Sequence, residues 1–165
     1  MGGMMTNEQQ HWTDSLTYTP CADALEWLRI QPDAQTAWDK SERGDWMLHH
    51  AGKLAGAPGS DARRPLMLAA CACARLALPY VEKGELRPLK AIETAERWAR
   101  GEANAPSLEE VMDAASAASY AASYAASYAA SAAASATAYY ATAARVKALA
   151  ACADIVRKHY PKVPA

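Results

Sequence analysis

From Ala114 to Ala144 the chain carries no charged residue, no Gly and no Pro. The run reads AASAASYAASYAASYAASAAASATAYYATAA, opens after SLEE at Ser107 and closes into RVKALAACADIVRKHY, which ends at Tyr160. Ala, the best helix former, fills most of it. Ser107 is placed to cap the first turn while Glu110, three residues on, reaches back in a capping box. Arg157, Lys158 and His159 suit a helix C-terminus, and Pro161 stops the helix. As one straight rod, residues 107–160 would reach roughly 80 Å at 1.5 Å per residue. A compact domain of this size has a radius of gyration of about 15 Å. The stretch is therefore either one protruding helix that pairs with another chain or a helical hairpin that folds back near Ser131 to Thr137. The fold-back is the favoured expectation.

The run is longer than the roughly 20 residues a helix needs to cross a bilayer. It holds no Leu, Ile, Val or Phe, however, and Ser recurs at nearly every turn. Its transfer energy is too small for insertion, so no membrane association is expected. The AASY repeat places Tyr120, Tyr124 and Tyr128 on one slightly drifting stripe, because four residues turn a helix by about 400°. Tyr139 and Tyr140 follow beyond the expected turn. These five tyrosines are either bulk for a core poor in large side chains or a recognition surface, since Tyr gives wide contact at low entropy cost. Past them, two apolar stripes are expected to pack inward: Tyr139, Ala143, Val146, Ala150 and Ala153, and Leu149, Cys152, Val156 and Tyr160.

Ala makes up about a quarter of the chain and Phe is absent, so the 52% hydrophobic fraction overstates the large apolar side chains available. Close approach of small-residue helices must do much of the packing. The formal net charge of -1 shows no basic face of the kind that displaces counterions from nucleic acid, so no specific nucleic-acid partner is expected. Cys21, Cys71, Cys73 and Cys152 have neither zinc-ligand nor CxxC spacing, and all four are expected as buried reduced thiols. With no apolar secretory run near the N-terminus, the expected location is the cytoplasm.

Residues 1–18 read as a flexible polar arm, 19–161 as a single helical domain and 162–165 as a tail. The first helix is expected to begin with Thr19 as cap and Pro20 at the first helical position, and to end at Gln31-Pro32. A second runs from Pro32 or Asp33 to about Ser41, with Gly44 as breaker. Asp45 is expected to cap a third through Leu54. A fourth spans Asp61 to Leu78, largely buried on Leu66, Ala70, Cys73, Ala74 and Ala77 and on Met67, Cys71 and Leu78. A fifth runs from Pro88 to Arg100 with Leu89, Ile92, Ala95 and Trp98 or Ala99 inward and Gly101 as terminator. No segment alternates with period two, so the predicted class is all-α: a compact multi-helix bundle with a C-terminal Ala/Ser/Tyr-rich long helix or hairpin.

The densest polar and aromatic constellation is Trp38, Asp39, Arg43, Asp45, Trp46 and His49, with Arg75 added from the fourth helix. Asp45 and His49 stand four apart on one helix, where a carboxylate could orient an imidazole. The alternative is that Asp45 caps its helix, Arg43 pairs with Asp39 or Asp45, and the indoles fill the core. Arg75 is expected to pair with Asp39 or Glu96, or to await an anionic ligand. His49 and His50 diverge by about 100° around a helix, so no metal site is expected. Phosphate loops and nucleophile elbows are missing, and neither catalytic residues nor a cofactor is predicted.

Four ordered segments resemble the Imm5-like immunity-protein family: TAWDKSERGDWMLHHAGKLAG from Thr36, DARRPLMLAACACARLALPYV from Asp61, RPLKAIETAERWARGEA from Arg87 and CADIVRKHYP from Cys152. The resemblance covers roughly residues 20–161. It implies a small, alanine-rich helical protein of bacteria or phages that binds and blocks a toxin or defence effector without catalysis. Trp38, Asp39, Arg43, Asp45 and Trp46 match the family's most recognisable pattern, whereas His49 and His50 depart from it. The expected partner is thus a protein, with the chain a monomer or homodimer. A small-ligand pocket or enzyme around Asp39, Arg43, Asp45 and His49, and a self-associating structural protein, are the alternatives.

Overall fold

The computed structural model describes residues 10–57, 59–81, 83–103, 107, 109–110 and 138–164. Among them every regular element is helical: six α-helices, three short 3-10 turns and no strand. The chain divides into two compact units, Met1–Lys40 and Ser41–Ala165.

In the first unit, a 3-10 turn over Trp12–Ser15 is capped reciprocally. His11 N donates to Asp14 Oδ2 at 3.1 Å, while the His11 ring accepts from Thr13 N. The Trp12 indole donates to the Gln31 carbonyl at 2.9 Å, tying this turn to the end of the following helix. Helix α1 (Ala22–Arg29) starts after Cys21, not after Thr19. Cys21 is extended, and Asp23 then falls in the first turn, where free N–H groups favour an anion. Helix α2 (Ala34–Lys40) begins after Asp33, whose carboxylate accepts from Thr36 N at 2.7 Å and from its hydroxyl at 2.8 Å. Both hydrogen bonds hold the Asp33 carboxyl below its ordinary range. Ala24, Ala37 and Trp38 are buried.

The second unit is built from α3 (Gly44–Leu54), α4 (Arg64–Arg75), α5 (Arg87–Arg100) and α6 (Ala138–His159). Helix α4 packs against the other three, and α6 also packs against α3. Gly44 is no breaker. It is the first residue of α3 and is buried, because the backbone of α6 passes directly over it. The expected fourth helix is three pieces: a 3-10 turn at Asp61–Arg63, α4, and a second 3-10 turn at Leu78–Tyr80. Pro65 and Pro79 each sit in the first turn of their own piece, where a missing N–H costs nothing, so each prolines starts an element instead of lying inside one. Within α4 the fully buried positions are Ala69 and Cys71, while Ala74 and Ala77 are exposed near its C-terminal end. Arg63 closes the preceding loop by donating to the carbonyls of Gly56 (2.9 Å) and Gly52 (3.1 Å) at the end of α3.

Helix α5 follows its sequence pattern closely. Pro88, Ala91, Ile92, Ala95, Glu96 and Ala99 form one buried face at i, i+3 and i+4 spacing, and Gly101 ends the helix in the left-handed region at φ 66°. Cys71, Ile92 and Ala95 form a buried cluster with Met67, Leu78 and Trp98 around it. The capping box ahead of the Ala-rich run is present: Ser107 N donates to Glu110 Oε2 at 2.7 Å and Glu110 N to Ser107 Oγ at 3.2 Å. The expected turn between Ser131 and Thr137, and with it the choice between one helix and a hairpin, lies outside the described residues. Helix α6 ends at His159, before Pro161. It buries Cys152, Ala153 and Val156, whereas Val146, expected inward, is 53% exposed.

The cysteines differ from expectation. Cys73 on α4 and Cys152 on α6 form a disulfide, with Cα atoms 5.2 Å apart. That separation is within the usual disulfide range, and it arises because two small-residue helices cross closely. Of the remaining two, Cys71 is buried and Cys21 is exposed. Among the described residues no helix is long and apolar enough to cross a membrane.

Candidate interaction site

The start of α3 brings three of the predicted residues together. Arg43 N donates to the hydroxyl of buried Ser41 at 3.2 Å, fixing the backbone just ahead of the helix. From there the Arg43 guanidinium grips Asp45 with both edges: Nε to Oδ1 at 2.9 Å and Nη2 to Oδ2 at 2.7 Å. Its Cζ lies 4.1 Å from the centre of the Trp46 ring, so the same plane also stacks on the indole. Asp45 is thus not the cap of α3. Arg43 occupies that position, and its side chain is turned to the carboxylate two residues on, in the first turn. The Arg43 hydrogen bonds are the main reason the Asp45 carboxyl lies below its ordinary range. A carboxylate held charged in this way is a poor proton acceptor near neutrality.

His49 is exposed, one turn beyond Asp45. Its neighbour His50 is half-buried, and its Nε2 lies 3.1 Å from the Pro164 carbonyl, which places the C-terminal segment against α3. Burial pushes the His50 pKa down, against the opposing effect of that carbonyl.

Arg75 belongs to a different cluster. At the end of α4 it donates from Nε and Nη2 to Glu96 Oε1 and Oε2 at 2.8 and 2.9 Å. Arg100, one turn along α5, donates to Glu96 Oε2 at 2.8 Å. Two exposed guanidiniums therefore share one buried carboxylate, and the Arg75 hydrogen bonds lead the forces that hold the Glu96 carboxyl below its ordinary range. Of the two acids that the sequence offers as partners for Arg75, Glu96 is the one it meets.

Trp38 and Asp39 lie in the first unit, at the end of α2. Trp38 is buried, and exposed Asp39 accepts from Gln35 Nε2 at 2.8 Å across one helical turn. Tyr139 and Tyr140 stand in the first turn of α6. Tyr120, Tyr124 and Tyr128 lie outside the described residues. Among the described residues, no group of three or more His, Cys, Asp or Glu side chains is placed to hold a metal ion.

Sequence reasoning missed Arg157. Its Nη1 donates to the Ser41 carbonyl at 2.7 Å and its Nη2 to Asp154 at 2.7 Å, so α6 holds the segment that carries Arg43. A basic residue in a last helical turn reads as dipole compensation, and nothing local signals a second role.

Residues 58–155 match the family model described as Imm-5 like putative immunity protein. Comparison with curated proteins and with solved structures gave no match.

Proposed function

Because that match spans more than half of its 165 residues, the chain belongs to the Imm-5 like family, and from this premise we propose that it acts by binding. The proposed activity is neutralisation of a protein toxin or defence effector by stoichiometric occlusion, in the cytoplasm and without turnover. Family membership is the observation that carries the reading. The geometry around Asp45 supports it: a carboxylate clamped by Arg43 favours a fixed contact surface over a proton-transfer pair with His49.

The proposed contact surface is the start of α3. Arg43 stacked on Trp46 combines two residue types that dominate binding energy at protein interfaces, and a guanidinium already held by Asp45 loses little freedom on docking. Within the second unit, His49, Arg75 and the tyrosines at 120, 124, 128, 139 and 140 are further proposed contact residues; in the first unit exposed Asp39 is one, whereas Trp38 is buried there. An immunity protein of a bacterium and a phage-encoded inhibitor of host defence are the two settings this reading fits.

The deciding experiment pairs the purified protein with each effector encoded beside its gene. A 1:1 complex with protection of cells that express the effector is expected, and Trp46→Ala should weaken binding by at least about tenfold, as for a central aromatic anchor. Absence of both complex and protection for every neighbouring effector overturns the proposal.

A further inference from the structure

Helix α6 is joined to the second unit over only part of its length. Among its described side chains the buried ones, Cys152, Ala153 and Val156, are small, while Arg145, Val146, Lys147 and Ala148 are exposed. Cys152 is therefore the first buried side chain met from Arg145 onward, at the point where the helix comes down onto α3 and α4. The disulfide to Cys73 sits at that point, and Gly44 of α3 packs against the same residue. Three helices meet at one covalent bond.

We propose that the Cys73–Cys152 disulfide is a redox-set clamp: closed, it holds α6 down on α3 and α4, and opened by a dithiol reductant, it lets residues 149–159 of the helix detach reversibly. The step balances. A thiolate of the dithiol attacks Sγ of Cys73, a half-buried residue where Cys152 is buried, and forms a mixed disulfide. Cys152 leaves as a thiolate and takes up a proton. The second thiol of the reductant closes its own ring and releases Cys73, so the protein gains two electrons and two protons.

Of the other two thiols, Cys71 does not compete for the bond. Cys71, two residues from Cys73, is turned into the α5 interface, where its thiol lies 3.8 Å from the Ile92 carbonyl. Burial first, and Glu96 second, push its pKa up to about 11, so it is almost wholly protonated near neutrality and inert in exchange. Once the bond opens, α6 is still held by buried Ala153 and Val156, by the half-buried residues beside them and by the contacts of Arg157 with the Ser41 carbonyl and the Met47 sulfur, but no covalent link remains.

The test uses the full chain, purified without reductant and then treated with dithiothreitol. Thiol titration after unfolding should find two thiols, Cys21 and Cys71, before treatment and four after it. Amide exchange over residues 149–159 should accelerate at least about tenfold on reduction, with residues 88–99 of α5 changing much less, since local opening exposes one element and not the whole unit. Reoxidation should restore the slow exchange. Cys73→Ser/Cys152→Ser should show the fast pattern without reductant, and Cys71→Ser should leave the response intact. Four titratable thiols in the untreated protein, unchanged exchange in α6, or an acceleration shared equally by α5 each overturn the proposal. Should the double variant fail to fold, reduction of the natural chain decides alone.

Discussion

Gly44 and Cys152 are in backbone contact. A Cβ placed on Gly44 would lie 2.5 Å from Cys152 Cβ, 2.6 Å from Ala153 N and 2.7 Å from Cys152 C. Two of those three atoms are backbone of α6 and cannot turn aside, so any side chain at position 44 must push the two helices apart. Gly44→Ala is expected to cost about 3 kcal/mol, the upper part of the overpacking range. Gly52, on the same helix, is the comparison: its Cβ would meet only Leu66 Cδ2, at an ordinary 3.8 Å. Gly52→Ala should stabilise by up to about 1 kcal/mol, because Ala loses less backbone freedom in a helix. Urea midpoints of the two variants measure both effects, and similar tolerance at the two sites would contradict the close crossing.

Glu96 should make stability depend on acid pH. Arg75 and Arg100 stabilise its charged form, so its folded pKa lies below the ordinary value. A depressed carboxylate contributes fully above the unfolded pKa of about 4.3 and loses that contribution as pH falls through the folded value. Glu96→Gln keeps the shape but removes the charge, and is expected to cost about 1–2 kcal/mol at pH 7. As pH falls from the unfolded value through the folded one, the variant and the natural chain should converge. A variant whose deficit stays the same across that acid range would show that packing, not charge, carries the effect.

What the sequence made legible is what local chemistry decides. The buried face of α5 follows from apolar spacing, its end from Gly101, and the Ser107–Glu110 box from two residues three apart. Each depends on neighbours within one or two turns. The misread features depend on what comes from far along the chain. Gly44 looks like a breaker until α6 is laid across it, and Asp45 looks like a cap until the Arg43 guanidinium takes both its oxygens. Cys73 and Cys152 are 79 residues apart, with no spacing rule to connect them. The candidate residues were legible as types, but Arg75 needed the α4–α5 packing to be assigned to Glu96.

His50 gives a second pH signature, of histidine type. Burial lowers its pKa in the folded chain, so the unfolded chain binds a proton more readily. Its contribution is present above the unfolded value of about 6.5 and is lost as pH falls through the lower folded value. The neutral ring donates to the Pro164 carbonyl when its hydrogen is on Nε2, and the imidazolium can donate there too, which is why that bond opposes the shift. An NMR titration should place the His50 midpoint below that of a free histidine. His50→Ala should remove that titration and speed amide exchange in the last residues of the chain, and a midpoint at or above 6.5 would count against the buried setting.

Arg157 tests whether α6 is also held without its covalent bond. Its Nη1 satisfies the carbonyl of Ser41, a residue only 5% exposed, and Nη2 pairs with Asp154 on the same helix. The two interactions differ in worth. The Asp154 partner is largely exposed, and an i,i+3 pair of this kind contributes about 0.5 kcal/mol or less. Removing the donor to a shielded carbonyl costs about 1–3 kcal/mol, because water reaches that oxygen poorly. Arg157→Ala should therefore lower stability by about 2 kcal/mol and Asp154→Asn hardly at all. Reduction of Cys73–Cys152 opens a loop of 79 residues, for which chain entropy alone predicts a loss of about 4.5 kcal/mol. If the hydrogen bond and the disulfide secure the same helix, Arg157→Ala should accelerate exchange over 149–159 more in the reduced protein than in the oxidised one. Equal acceleration in both states would mean that the two act on separate parts of the unit.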